Sequence, residues 1–592
     1  METVMSYNHK LVMRNPVRSS IIYASKNRNV PLEQFQVSKR RKEGAKTISD
    51  PTSSEKTTRS RKQPQPIIKT KRSAARQMSS MAIVFKSIEE LIHTFLDLPL
   101  RPSIDPKYVL TGNFAPVHEL PPTECEIEYG SIPAFLDGAY IRNGPNPQFH
   151  PTGPYHLFEG DGMLHSIRIF KGKATLCSRY VLTHKYLAER KVGSTVIPNF
   201  YSSFNGISAT IMRMILGSVR ALAGHYNPAN GIGLANTGVA QIGNRLYALG
   251  ESDLPYAIHI TCNGDIETVG RVDFNGKLSM SMTAHPKLDA DTGEVFAFQY
   301  NAFHPFLTYF RFNPNGKKLH DVPISSVARP TFFHDFAITK NYAIFCDTQL
   351  GINSLINIVQ GGPPVGVDSR KVPRLGVLPK YAKDDSGMKW FDAPGFNMIH
   401  SVNAWDDKEA NEIILVAPNL QSVKHALERL DLANPSIEKV SINLTTGNIS
   451  RKTISPANVE FSVINPSYMG KKNRYIYAAV GDPLPKIKGI VKLDIFGNEN
   501  VVGRRMYGDG CFGGEPFFVA RDPCNPDAEE DDGCLVTYLH NEITQESRFL
   551  VMDAKSPDLR ILAEVKLPQR VPYGFHGLFV KETDLNESLG RL

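Results

Sequence analysis

Four histidines, His285, His334, His400 and His576, are the residues of this 592-residue chain best suited to carry chemistry. Each lies in or beside a short apolar run that reads as a β-strand: MTAHPKLDADTGEVFAF, FFHDFAITKNYAIF, GFNMIHSVNAW and YGFHGLFV. No Cys or carboxylate stands at metal-ligand spacing next to them. Their separations of 49, 66 and 176 residues exclude a local metal-binding loop. They can share an ion only if the fold carries four distant strand ends to one point. Structural zinc sites cluster their ligands and favour thiolate, which argues against zinc. Imidazole suits iron, and neutral nitrogen donors with open positions suit Fe(II) chemistry with O2. The expectation is an oxygenase.

The elements that must position them are strands. From about residue 130 onward, runs such as NRLYALG, YAIHITC, EVFAFQY, FLTYFRF, YAIFCDT, EIILVAP, RYIYAAV, CLVTYLH and RFLVMDA follow one another. Turn signals separate them, among them CNGD, DTGE, NPNGKK and LTTGN, which are hairpin connections. No helix–strand alternation is present, so a parallel α/β fold is not expected. The strands are too many for one sandwich. A closed radial array, the β-propeller, removes most sheet edges and brings every inner strand end near one axis. Helices are expected at 80–98, where Met81, Val84, Phe85, Ile88, Leu91, Ile92 and Phe95 recur at three- and four-residue steps, and at 207–226, with Ile211, Met214, Ile215, Val219 and Leu222 on one side and Arg213 and Arg220 elsewhere. Either both pack on the body, or their apolar faces with basic flanks dip into lipid.

The net charge of +9 is unevenly spread. Residues 1–80 hold 18 Lys and Arg against five Asp and Glu, and the remainder carries 50 against 54. The body is mildly acidic, so no nucleic-acid partner is expected. The basic, hydroxyl-rich, acid-poor tail has the composition of an organelle transit peptide or a disordered basic tail. Residues 81–592 then form a single domain. Seven cysteines, an odd number without CxxC pairs, read as free thiols. No run approaches the roughly 18–20 apolar residues of a spanning helix.

A ligating imidazole needs an acceptor, commonly carboxylate, on its other N–H. Glu251 in LYALGESDLPY, Glu460 in NVEFSVINP and Glu515 in FGGEPFF sit in apolar or Gly-rich strand contexts. Composition leaves each open between a surface and a buried position. Burial would demand a partner, because an unpaired buried carboxylate is strongly disfavoured.

The segments GAYIRNGPNP, FEGDGMLH, LANT, AHPKLDADTGE, FHDFAIT, FNMIHSVNAW, GEPFFV and VPYGFHG, in order over about residues 100–580, resemble the carotenoid cleavage oxygenase family. LPLRPSIDPKYVLTGNFAPVHELPPTE and GDPLPKIKG resemble its plant plastid members. The resemblance implies a seven-bladed propeller under a helical dome, with one Fe(II) per subunit held by His285, His334, His400 and His576. It implies that Glu251, Glu460 and Glu515 support those imidazoles, and that the two helices form a membrane-facing patch. Phe85, Ile88, Ile92, Met214, Ile215, Val219 and Leu222 are the candidates for that patch. Phe332, Phe333, Trp390, Phe391, Phe396, Phe512 and Phe575 neighbour the histidines and are candidate tunnel walls, each equally suited to propeller core. The implied reaction is cleavage of a carotenoid double bond by O2, at 9,10 (9′,10′) or alternatively 7,8 (7′,8′). It requires no NAD(P)H, flavin or haem, and no GxGxxG follows a strand. Rival readings are an O2-independent polyene isomerase and a carotenoid-sequestering protein. The implied location is the plastid, on a plastoglobule or thylakoid surface, with no obligate protein partner.

Overall fold

The computed structural model describes residues 80–359 and 363–589. The expected transit segment, apart from Ser80, lies outside the described residues. The fold is all-β dominated. Four antiparallel four-stranded sheets follow one another, spanning Gly238–Arg271, Lys287–Pro323, Phe336–Asp392 and Asn403–Thr453. A 14-stranded sheet then joins the strands from Val459 onward to the N-terminal strands between Leu120 and Tyr180. Its last strand, Gly577–Lys581, pairs with Gly138–Pro145, setting Ile141 opposite Leu578. The two ends of the β-region are thereby hydrogen-bonded to one another.

Strand Tyr342–Asp347 shows why so many runs are apolar throughout. Successive side chains point to opposite faces. Ala343 and Phe345 enter a cluster with Phe298 and Tyr309 of the preceding sheet. Ile344 and Cys346 enter another with Ile413 and Leu415 of the following sheet. Both faces are covered, and burying one such Phe stabilises by roughly 1.5–3 kcal/mol. The turns behave as their residues demand. Gly264 of CNGD and Gly447 of LTTGN take φ of +86° and +77°, the left-handed region open to glycine.

The two expected helices form as Ser80–Phe95 and Ile207–Leu222. They differ from expectation in what they bury. Phe85 and Ile92 are 3% and 2% exposed and pack with Ala209 and Leu216, while Ile88 lies against the same cluster. The outward face of the first helix is Val84, Leu91 and Phe95, seven and eleven residues apart and therefore on one side. The apolar stripe is wider than one face, so that part of it is buried and part exposed. Met214, Ile215, Val219 and Leu222 are exposed as expected, Leu222 at 90%. Arg213 and Arg220 contribute no basic flank, because both are buried. Arg213 bonds Glu89 at 2.7 Å and both oxygens of Asp97 at 2.6 and 2.7 Å, tying the helices together. Among the described residues, no helix is long and apolar enough to cross a membrane.

Candidate metal centre

Each of the four histidines sits one to three residues before an edge strand of its sheet. These strands begin at Lys287, Phe336, Asn403 and Gly577. The structure brings the four together: one ring nitrogen of each lies within 4.8 Å of the others. His334 Nε2 is 3.0 Å from His285 Nε2 and 3.2 Å from His400 Nε2.

The backbone around them is fastened by residues that the sequence alone did not single out. Thr283 Oγ1 accepts the His285 N–H at 3.0 Å and donates to the His334 carbonyl at 3.1 Å. Asp335 bonds Lys287 at 2.7 Å and accepts from the N–H and hydroxyl of Ser401. His576 donates its N–H to the Thr237 carbonyl, and its own carbonyl accepts from Asn143. The adjacency of Asp335 and Ser401 to two candidate ligands was the available signal.

Behind the ring stand the three glutamates. His400 Nδ1 is 2.8 Å from Glu460 Oε2, and His576 Nδ1 is 2.9 Å from Glu515 Oε1. Glu251 Oε1 lies 2.5 Å from His334 Nδ1 but off the alignment of a hydrogen bond. Glu460 and Glu515 are buried, and Glu251 is half-buried. A carboxylate at Nδ1 holds that proton there and leaves the Nε2 lone pair facing the centre.

Burial, reinforced by the other three imidazoles, holds His285 well below the ordinary histidine range. Burial also lowers His576, against the pull of Glu515. Burial acts the same way on His400, but the charge and hydrogen bond of Glu460 outweigh it and leave that imidazole raised. Glu460 itself is lowered: burial pushes it up, and His400 more than offsets this. Nε2 atoms 3.0–3.2 Å apart cannot all carry protons, so the donor set suits a shared cation.

Of the seven expected wall residues, Phe332 stacks on His334, with centroids 5.9 Å apart and planes at 14°. Phe575 meets Phe158 edge-on at 5.7 Å. The others are placed differently. Phe333 is core between two sheets, as are Phe391 and Phe396. Trp390 packs on the Phe333 cluster and donates its indole N–H to Ser326. Phe512 lies under the Lys486 ammonium, 4.6 Å from its ring centroid. Neighbouring a histidine in sequence does not aim a side chain at it, because consecutive strand residues face opposite ways. Sequence reasoning missed Phe461, whose ring lies 5.6 Å from both His400 and His576. Phe461 has φ of +48°, uncommon for a bulky residue, at an irregularity in strand Val459–Val463. Tyr201 and His156 extend this aromatic lining around Phe158.

Residues 114–581 match the family described as retinal pigment epithelial membrane protein. A probable carotenoid cleavage dioxygenase 4, chloroplastic, of Arabidopsis thaliana is 61% identical over 517 residues, covering 86% of this chain and 87% of that protein. A zeaxanthin 7,8(7′,8′)-cleavage dioxygenase, chromoplastic, of Crocus sativus is 52% identical over 364 residues, covering 61% of this chain and 98% of that protein. The solved structure of Pseudomonas brassicacearum lignostilbene dioxygenase is similar with a TM-score of 0.70 at 25% identity, covering 82% of this chain and 100% of its own.

Proposed function

The chain belongs to the retinal pigment epithelial membrane protein family, the carotenoid cleavage oxygenases, and is a dioxygenase enzyme; from that premise we propose that it cleaves a carotenoid double bond with O2 at a non-haem Fe(II) held by His285, His334, His400 and His576. The observation that carries this reading is the convergence of four imidazoles from four sheet edges, with glutamates at three Nδ1 atoms. When bound, ferrous iron supplies the redox chemistry that lets O2 react with an electron-rich polyene. The chain's own residues do the rest. Glu460 and Glu515, hydrogen-bonded at Nδ1, fix the tautomer and orientation of His400 and His576, and Glu251 places a negative charge beside His334 Nδ1. Phe332, Phe461, Phe158 and Phe575 offer an apolar wall that excludes water and lies along the polyene. The products are apocarotenoid aldehydes or ketones, with no protein base required.

Cleavage at 9,10 (9′,10′) is the position we assign. The Crocus relative, named for 7,8(7′,8′) cleavage of zeaxanthin, favours the second reading. Seven blades are supported by seven clusters of buried residues, each filling the space between successive strand groups. A plastid location is supported by the chloroplastic and chromoplastic relatives and by the basic tail. Docking on a plastoglobule or thylakoid surface is supported by the exposed apolar residues of the two helices. The test is product identification by mass spectrometry from a panel of carotenes and xanthophylls under 18O2. Labelled C27 and C13 carbonyls from a C40 substrate identify 9,10 cleavage, and labelled C30 and C10 carbonyls identify 7,8 cleavage; unlabelled isomers, or unchanged substrate, would overturn the assignment.

A further inference from the structure

Each glutamate behind the imidazoles has a second donor, and the donors differ in kind. Glu460 Oε2 also accepts the Phe461 N–H at 2.6 Å. Glu515 uses Oε1 for His576 and accepts the Gly577 N–H on Oε2 at 3.0 Å. Both are backbone donors, one residue along from the carboxylate or from the imidazole, and no ordinary substitution removes them. For Glu251 the donor is a side chain. The Tyr300 hydroxyl donates to Glu251 Oε2 at 2.7 Å. Tyr300 ends strand Val295–Tyr300 of the next sheet, whereas Glu251 follows strand Arg245–Leu249.

The Tyr300 ring does a second thing. It meets Phe332 edge-on, 5.9 Å between centroids at 76°, and Phe332 is the ring stacked on His334. Tyr300 therefore approaches His334 twice, once behind Nδ1 through Glu251 and once against its face through Phe332. Its own position is set by Phe298, which is fully buried between sheets. Burial, with Glu251 beside it, pushes the Tyr300 hydroxyl well above the ordinary phenol range, so it stays protonated and donates.

We propose that Tyr300 is a positioning residue of the metal centre, clamping Glu251 behind His334 through its hydroxyl and the His334 plane through Phe332. The inference rests on the reading of the four histidines as the metal site. Glu251 is the carboxylate whose contact to imidazole is off alignment, and so the one that most depends on a fixed second oxygen. Tyr300 touches neither polyene nor metal in this role.

The test is Co(II) binding by the full chain after chelator stripping, followed by visible absorption and by chelator competition. Wild type is compared with Tyr300→Phe, Glu251→Ala, the Tyr300→Phe/Glu251→Ala double variant and His334→Ala, with melting temperature as the check on folding. Tyr300→Phe removes one oxygen and should weaken Co(II) binding about tenfold, the low end for groups that orient metal ligands, and shift the visible bands. The double variant should bind no more weakly than Glu251→Ala alone, because without the carboxylate the Tyr300 hydroxyl has nothing to hold. Unchanged affinity and spectrum in Tyr300→Phe, with binding lost in His334→Ala, would remove the clamp and leave the metal site standing. Losses that multiply in the double variant would make Tyr300 a general fold support and overturn the proposal. Wild-type Co(II) binding in His334→Ala would overturn the metal site itself.

Discussion

Lys287 Nζ and Asp335 Oδ1 are 2.7 Å apart in a buried pair, side chains 9% and 2% exposed, that joins the loop carrying His285 to the loop carrying His334. The other oxygen of Asp335 accepts both the N–H and the hydroxyl of Ser401, beside His400. One carboxylate thus staples three of the four histidine loops without touching an imidazole nitrogen. Removing it leaves Lys287 buried and unpaired, which costs about 3–5 kcal/mol. Asp335→Ala should therefore lower the melting temperature and the iron content together. Wild-type iron content in the folded variant, measured by elemental analysis, would contradict the staple.

Replacing any of His285, His334, His400 or His576 with Ala should abolish turnover and reduce bound iron. Glu251→Gln, Glu460→Gln and Glu515→Gln keep the size of the side chain and remove its charge. Losses of roughly 10–100-fold in metal affinity or activity are expected for each. Steady-state rates and metal stoichiometry measured side by side separate the two groups, and wild-type behaviour of all three Gln variants would dismiss the carboxylates.

Phe332 and Phe333 are adjacent and should behave oppositely. Phe332→Ala opens the face of His334 and should alter turnover or product distribution with little change in melting temperature. Phe333→Ala empties a position 1% exposed between two sheets and should cost about 3–5 kcal/mol. Its product distribution should be unchanged. Chemical denaturation and product analysis of the two variants check this directly. A catalytic effect from Phe333 at full stability would overturn the placement.

The exposed face of Ile207–Leu222 bears on how a water-insoluble substrate reaches the site. Burying several side chains such as Ile215 and Leu222 at about 25 cal/mol per Å2 supplies several kcal/mol, enough for reversible docking. With Arg213 and Arg220 committed to Glu89 and Asp97, docking by this helix should depend only weakly on salt. Ile215→Glu with Leu222→Glu should release the protein from liposomes in a flotation assay. Cleavage of membrane-embedded carotenoid should fall more than cleavage of a detergent-dispersed short apocarotenoid. Equal losses would assign the helix to fold support. Phe85→Ala, by contrast, should destabilise the helix pair, since Phe85 is buried against Ala209 and Leu216.

The residue types and their periods were enough to identify an all-β chain, two amphipathic helices, and four histidines at strand starts with no local metal-binding loop among them. Those features are local: alternation along a strand and three- or four-residue steps along a helix follow from backbone geometry alone. Which side of a local pattern meets which neighbour depends on pairings between residues far apart in sequence. The tertiary structure therefore decided that Phe332, and not Phe333, lies on an imidazole. It turned Phe85 and Ile92 inward while Val84 and Leu91 face out. It buried Arg213 and Arg220 as ties between helices, where the sequence suggested a basic rim. It also placed Phe461, through a strand irregularity and a left-handed φ, over two histidines more than 60 residues away in sequence or farther. No periodicity encodes such a position, because it arises only when strands from separate sheets close around one centre.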